Sequence, residues 1–222
     1  MYGETGEIPL SLKAFRLLIN FWHRVNNLSD ETLVKKALLE NIALRTNWIK
    51  TIEKLLGSLD LTNFTQSSAV FKEKTKSSLN SKYITFWHKS LREETSSRLQ
   101  FFKSIKHDFE FEGYLKIPLF EYRKATTKIR CSDHPLEVEQ GRHKSISREN
   151  RICKICPSKE VETEEHFLTK CTFFDRYKPN HDISFTQNAD TIITNTYPAL
   201  LGKYLVQSLG ERKKYKEWFN LG

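Results

Sequence analysis

Arg151-Ile152-Cys153-Lys154-Ile155-Cys156-Pro157, followed by His166 and Cys171, spells C-x2-C-x9-H-x4-C and decides how the rest of the chain is organised. Three thiolates and one imidazole form the donor set of a tetrahedral zinc ion (Zn2+), with metal–sulfur bonds of about 2.3 Å and metal–nitrogen bonds of about 2.0 Å. The C-x2-C turn offers Cys153 and Cys156 to one ion from a tight loop, and His166 and Cys171 supply the opposite edge. Residues i and i+5 do not share a face of a regular helix, so the chain is expected to turn or unwind between His166 and Cys171. Four protein ligands close the coordination shell and leave no position for an activated water, so the site reads as structural. Such a module has too little core to fold alone, and metal binding would supply much of its folding energy. The alternative is a chance cluster of reduced core cysteines, which does not explain a His at ligand spacing. Cys131, 22 residues before Cys153, reads as an ordinary buried thiol, with His134 and His143 the other possible substitutes as ligands.

Outward from this cluster the chain reads as mainly α: a helical bundle, a small irregular zinc-knuckle-like module, and a closing C-terminal helix. On the N-terminal side, residues 11–27 place Phe15, Leu18, Ile19, Trp22 and Val25 at helical spacing. A second helix, capped by Ser29 or Asp30, is expected to run to about Leu56, burying Val34, Leu38, Ile42, Trp48, Ile49, Ile52 and Leu55, with Gly57 ending it. A third amphipathic segment covers about 69–103, interrupted at Ser77–Ser81. His107–Tyr114 alternates aromatic and acidic residues and reads as a turn or short strand. Leu119–Ile129 reads as a short basic helix, and Leu136 and Val138, alternating with Glu137 and Glu139, as a brief strand closed by Gly141. Pro198 opens the last helix, about 198–219, with Leu201, Leu205, Leu209 and Phe219 in period. The expected division is a helical domain over 1–127, a zinc module over 128–180, and residues 181–222 packing back on the domain.

Composition agrees with a helix-rich class. Gly and Pro number only 8 and 6 in 222 residues, while 15 Phe, 8 Tyr and 4 Trp supply large buriable side chains. Lys and Arg outnumber Asp and Glu by 36 to 27, a formal charge of +9, which suits a polyanionic partner. The opening residues lack the charged and apolar regions of a signal peptide, and apolar runs such as Leu17-Leu18-Ile19 are too short to span a membrane. Four cysteines without a secretory signal point to a reducing compartment. Met1 is the single methionine, as expected of a fragment.

The runs Lys128-Ile129-Arg130, Ser132-Asp133-His134-Pro135-Leu136, Glu137 to Arg142, Arg151-Ile152-Cys153, Cys156, Val161 to Leu168 and Cys171 resemble the C-terminal region of non-LTR (LINE-type) retrotransposon reverse transcriptases. That family tends to carry R-x-S-x-H-x-L-x-I-E-x-G-R, then R-x-C-x-x-C, V-E-D-E-x-H-F-L and a final Cys. Val138 and Thr163 are mild departures. The opening, Tyr2-Gly3-Glu4-Thr5-Gly6 through Pro9-Leu10 to Phe21-Trp22, is similar to the segment that follows the polymerase and thumb. The resemblance implies a polymerase upstream; no A/F/Y-x-D-D occurs in these residues, so this chain is not expected to polymerise. It also implies a role in holding RNA template or target DNA, and a nuclear step.

The residues are compatible with that role. Arg123, Lys124, Lys128 and Arg130 approach the module, and Arg142, Lys144, Arg148, Arg151 and Lys154 cross it, where they can neutralise phosphates. Phe167, Phe173, Phe174 and Tyr177 can stack on bases, or Phe167 and Phe174 can pack the module onto the helices. The alternative function is a zinc-stapled structural or protein-interaction module without nucleic-acid affinity. Catalysis would need clustered carboxylates and a Lys: Asp175, Lys178, Asp182 and Asp190 follow the module, and His107, Asp108, Glu110 and Glu112 precede it. The first set leaves little room for a nuclease sheet, and the second reads as a solvated turn.

Overall fold

The structure is a computed structural model that describes residues 2–61, 67–179, 185 and 187–218. It is mainly helical; among the described residues there is no strand, only two isolated antiparallel bridges, Thr5 with Phe111 and Ile152 with Val161. The chain divides into two compact units, one essentially residues 7–92 and the other 3–6 with 93–222.

In the first unit, α2 (Leu10–Asn26), numbered after the short α1 (Tyr2–Thr5), buries Ile19, Trp22 and Val25 along one side. The expected single helix to Leu56 is instead two, α3 (Leu33–Ala43) and α4 (Asn47–Ser58). Arg45 takes a left-handed φ of 47° between them, and Thr46-Asn47 offers the extended, cap-prone start from which α4 departs. Because of this break Val34 and Ile42 are exposed rather than buried. Thr32, not Ser29 or Asp30, caps α3, its side chain accepting from the Lys35 N–H. Gly57 lies inside α4, which runs on to Ser58 with Leu59 as its C-cap. Nor does Ser77–Ser81 interrupt α5 (Ser68–Glu93): Leu79 continues the buried stripe of Phe71 and Thr75 at four-residue steps, so the serines ride through. The break falls at 94–96. His23 stacks on Phe71 at 3.8 Å between ring centroids within this core.

The second unit holds α6 (Gln100–Ile105), α7 (Phe120–Arg130), α8 (Glu137–His143), α9 (Ala189–Asn195) and α10 (Pro198–Trp218). Two expectations hold here: α7 matches the short basic helix, and Pro198 opens α10; Phe219 lies outside the described residues. His107–Glu112 is an irregular bend with a single bridge residue, Phe111, and Gly113 and Tyr114 begin a short 3-10 helix, Gly113–Lys116. The expected strand at Leu136 and Val138 is the start of α8. Its alternation misleads because Glu137 and Glu139 do not face water as an exposed strand edge would require: they are 4% and 5% exposed and ion-paired. Acidic residues in a first turn also favour the positive helix N-terminus.

Gly141 sits within α8 rather than closing it, since a Cβ there would stand 2.5 Å from Cγ of Arg151. Helices α7 and α10 meet closely at Gly202, where a Cβ would lie 2.5 Å from Cβ of Tyr122. Around this contact Ala125, Ile129, Leu201, Tyr204 and Leu205 form one core with Phe167, Phe174 and three cysteines. No helix of the described residues is long and apolar enough to cross a membrane.

Candidate metal centre

The four residues of the C-x2-C-x9-H-x4-C pattern converge. Their ligand atoms all lie within 4.8 Å of one another, and all four residues are buried. A tetrahedral ion with bonds of about 2.0–2.3 Å needs ligand–ligand edges of about 3.5–3.8 Å, and Cys156 Sγ stands 3.3 Å from His166 Nε2. The group can hold a metal ion.

Local backbone explains the convergence. Cys153 and Cys156 sit in a turn closed by the Cys153 N–H donating to the Glu160 carbonyl at 2.8 Å and the Glu162 N–H to the Arg151 carbonyl at 2.9 Å. Within the turn, the N–H groups of Ile155 and Cys156 point at Cys153 Sγ, which favours a thiolate. On the other edge, His166–Lys170 forms a single π turn, and the Cys171 N–H donates to the His166 carbonyl at 2.8 Å. That wider turn lays residues i and i+5 over one another, which is the departure from a regular helix that the spacing demanded.

The electrostatics are those of four groups competing for protons. The Cys171 thiol donates to Cys153, which, against burial and with help from His166, brings Cys153 down to about 3. The same bond and burial push Cys171 up. His166 is raised to about 9 by its bond to Cys153, burial opposing. A dication takes the place of these protons on binding. The remaining ring nitrogen of His166, Nδ1, faces Glu160 Oε2 at 3.5 Å, a carboxylate–histidine arrangement that orients an imidazole ligand. Cys131 lies outside the group, half-buried at the end of α7, its thiol pushed up by burial. His134 lies elsewhere too, with Nε2 at 2.9 Å from Glu164 Oε1.

The basic residues separate into two groups. Arg130 is buried and held by Glu4 at 2.8 Å and Glu112 at 3.1 Å, so its charge is used within the fold. Arg151 donates to the carbonyls of Ile146 and Val138 at 2.9 and 2.8 Å, and Arg123 to those of Ile117 and Pro118. Lys144, Arg148 and Lys154 are exposed, Lys154 lying 3.8 Å from Glu137. Lys124, Lys128 and Arg142 come together in a groove of about 790 Å3 walled by α7, α8 and α10.

Among the aromatics, Phe167 and Phe174 are 0% exposed and pack with Tyr204 in the core, so they serve packing rather than stacking on a ligand. Phe173 is half-buried, its ring against Phe174 and Tyr215. Of the candidate carboxylates, Asp175 pairs with Lys178 at 2.7 Å and Asp190 accepts from Ser104 at 2.8 Å; Asp182 lies outside the described residues. Glu112 binds Lys106 and Arg130.

Sequence reasoning missed the acids that bind the module to the helices. Glu162, between Cys156 and His166, accepts from Arg212 of α10 through both oxygens, at 2.8 and 2.5 Å, and from the Glu137 N–H at 2.7 Å. Glu164 accepts from Ser132 at 3.1 Å as well as facing His134. Runs of Glu in a basic chain look solvated, and only tertiary placement marks them as buried. No known protein family, curated protein or solved structure matches this chain.

Proposed function

We propose that this chain is a zinc-stapled, non-catalytic nucleic-acid-binding region of a non-LTR retrotransposon reverse transcriptase, holding RNA template or target DNA for a polymerase encoded upstream. The observation that carries this is the way the residues of the resemblance partner one another. Glu4 of the opening run grips Arg130 of the next, 126 residues on, through Nε at 2.8 Å and Nη2 at 3.1 Å, and also accepts from Tyr114 at 2.7 Å. Ser132 and His134 meet Glu164, and Glu139 meets Arg142. Arg151 reaches back to Val138, and Glu162 to Glu137. Runs that share a pattern for fold reasons would be expected to interlock in this way.

Zinc suits the centre better than harder ions, since three thiolates and an imidazole form a soft, closed set. Its part is to fix the turn carrying Glu162 and Glu164 against α8 and α10. The binding step belongs to exposed cations on that scaffold, with the formal charge of +9 behind them. Fluorescence anisotropy of labelled RNA and DNA oligonucleotides across 50–300 mM salt tests this. Affinity that falls steeply with salt is expected, because displaced counterions drive polyanion binding. Absence of binding at the lowest salt overturns the proposal.

A second function is favoured by one observation. Leu10, Leu17 and Phe21 lie along one side of α2 at 78%, 67% and 43% exposure, the kind of apolar stripe that engages a partner protein. In that case zinc would be retained without any nucleic-acid affinity.

A further inference from the structure

We infer that the groove between α7, α8 and α10 is a single-stranded nucleic-acid site, with Phe120, against the groove-lining Lys124, as the surface on which a base stacks. This rests on the nucleic-acid function proposed above and adds where the strand lies and which form it takes. Three observations carry it.

First, the groove's cations exceed its acids, seven Lys and Arg against four Asp and Glu. Arg142 is engaged by Glu139, Lys216 by Glu137, Lys213 by Glu217 and Arg212 by Glu162. Among the described residues Arg98, Lys124 and Lys128 have no carboxylate at ion-pair distance, and all three line the groove. Unpaired cations in a concave surface are what a phosphate chain neutralises.

Second, Phe120 is 60% exposed at the first position of α7, against 0% for Phe167 and Phe174. Lys124 Nζ lies 5.6 Å and the Arg123 guanidinium 5.9 Å from its ring centroid. At 60% exposure the ring is left largely to water and to these two cations. Lys124 belongs to both ring and groove, so the stacking surface and the phosphate path share a residue. Aromatic faces beside basic grooves bind unstacked bases, which a duplex does not offer.

Third, the groove's volume of about 790 Å3 falls in the range of sites that enclose small organic groups, roughly 300–1,000 Å3. A few nucleotides of one strand fit that scale, whereas a duplex would have to bridge over it. The strand's other contacts would be Arg98 and Lys128, which also line the groove.

The test uses the full, zinc-loaded chain and anisotropy with 12-nucleotide polyuridylate, 12-nucleotide polythymidylate and a 12-base-pair duplex. Phe120→Ala is expected to weaken single-strand binding by about 5- to 150-fold, the range that one lost base stack spans, leaving the salt dependence unchanged. Phe120→Trp should restore it. The double variant Lys124→Ala/Lys128→Ala should flatten the log–log salt slope by about 1.4, from two single-strand phosphate contacts. Tighter binding of uridylate or of thymidylate identifies the strand chemistry, and either supports the site. Steep salt-dependent binding by wild-type chain that ignores both variants would overturn the site while leaving the proposed function standing. Duplex bound more tightly than either strand would overturn the single-strand assignment. No binding of any probe would overturn both.

Discussion

Replacing Arg212 by methionine keeps an apolar stem of similar length and removes the guanidinium that joins α10 to the metal module. Arg212 is 1% exposed, and its partners Glu162 and Glu137 are 1% and 4% exposed. Solvent therefore screens the interaction little. At a separation of about 3 Å and an effective dielectric of about 20, two unit charges attract by roughly 5 kcal/mol. Part of that is offset in the wild-type chain by the desolvation of Arg212, so the net loss expected is about 3–5 kcal/mol, the cost of leaving a buried carboxylate without its partner. Glu137 keeps Lys216 at 2.5 Å and Lys154 at 3.8 Å, so the uncompensated charge falls on Glu162. Adding Glu162→Gln to Arg212→Met removes that charge and should recover at least about 1 kcal/mol, a coupling within the usual range for neighbours. Urea denaturation of the zinc-loaded proteins, followed by tryptophan fluorescence and circular dichroism, measures both. A loss below about 1 kcal/mol for Arg212→Met, or a double variant weaker than the single by the full Glu162→Gln cost, would refute the claim that this pair holds the module in place.

Gly202→Ala should destabilise the second unit by about 1–3 kcal/mol, because its Cβ would overlap Tyr122 where the helices touch; thermal melts compared with an exposed Gly210→Ala control measure it. Glu164 lies below its ordinary 4.5: burial raises it, but the His134 hydrogen bond and charge, its own backbone N–H and Ser132 outweigh burial. A depressed carboxylate gives stability that is present above the unfolded value and lost as pH falls through the folded one. Glu164→Gln should therefore flatten the acid limb of the stability curve below about pH 4.5. In the metal-free chain His166 lies at about 9 and Cys171 is pushed up, so zinc must displace at least two protons at pH 7. Zinc affinity should fall by roughly 100-fold per unit as pH drops from 8 to 6, and competition with a chromophoric chelator reads it.

The candidate metal ligands were legible because coordination constrains residue type and spacing in the sequence itself. The i, i+5 step from His166 to Cys171 even foretold that the regular helix must give way, and a π turn answers it. Long stripes such as Ile19-Trp22-Val25 and Leu201-Leu205 were legible for the same reason, since one buried face repeats along a helix. Elements that depend on partners far along the chain were not. The alternation of Leu136 and Val138 with glutamates counts as a strand only if the glutamates face water, and Arg212 and Lys216, some 75 residues on, put Glu137 inside. Arg130 looked like a free cation until Glu4, near the other end of the chain, took it. Phe167 and Phe174 were open to two readings, and Tyr204 of α10 decided for packing. Phe120 carried no signal, because one exposed aromatic in a short helix looks like any other until the groove beside it is seen.

The central claim is that Cys153, Cys156, His166 and Cys171 hold one structural zinc. Elemental mass spectrometry of protein purified without chelator measures it directly, together with Cys156→Ser and His166→Ala. One zinc per chain in the wild type, lost in both variants, is the expected result. Wild-type protein without zinc, or variants that keep it, would contradict the claim.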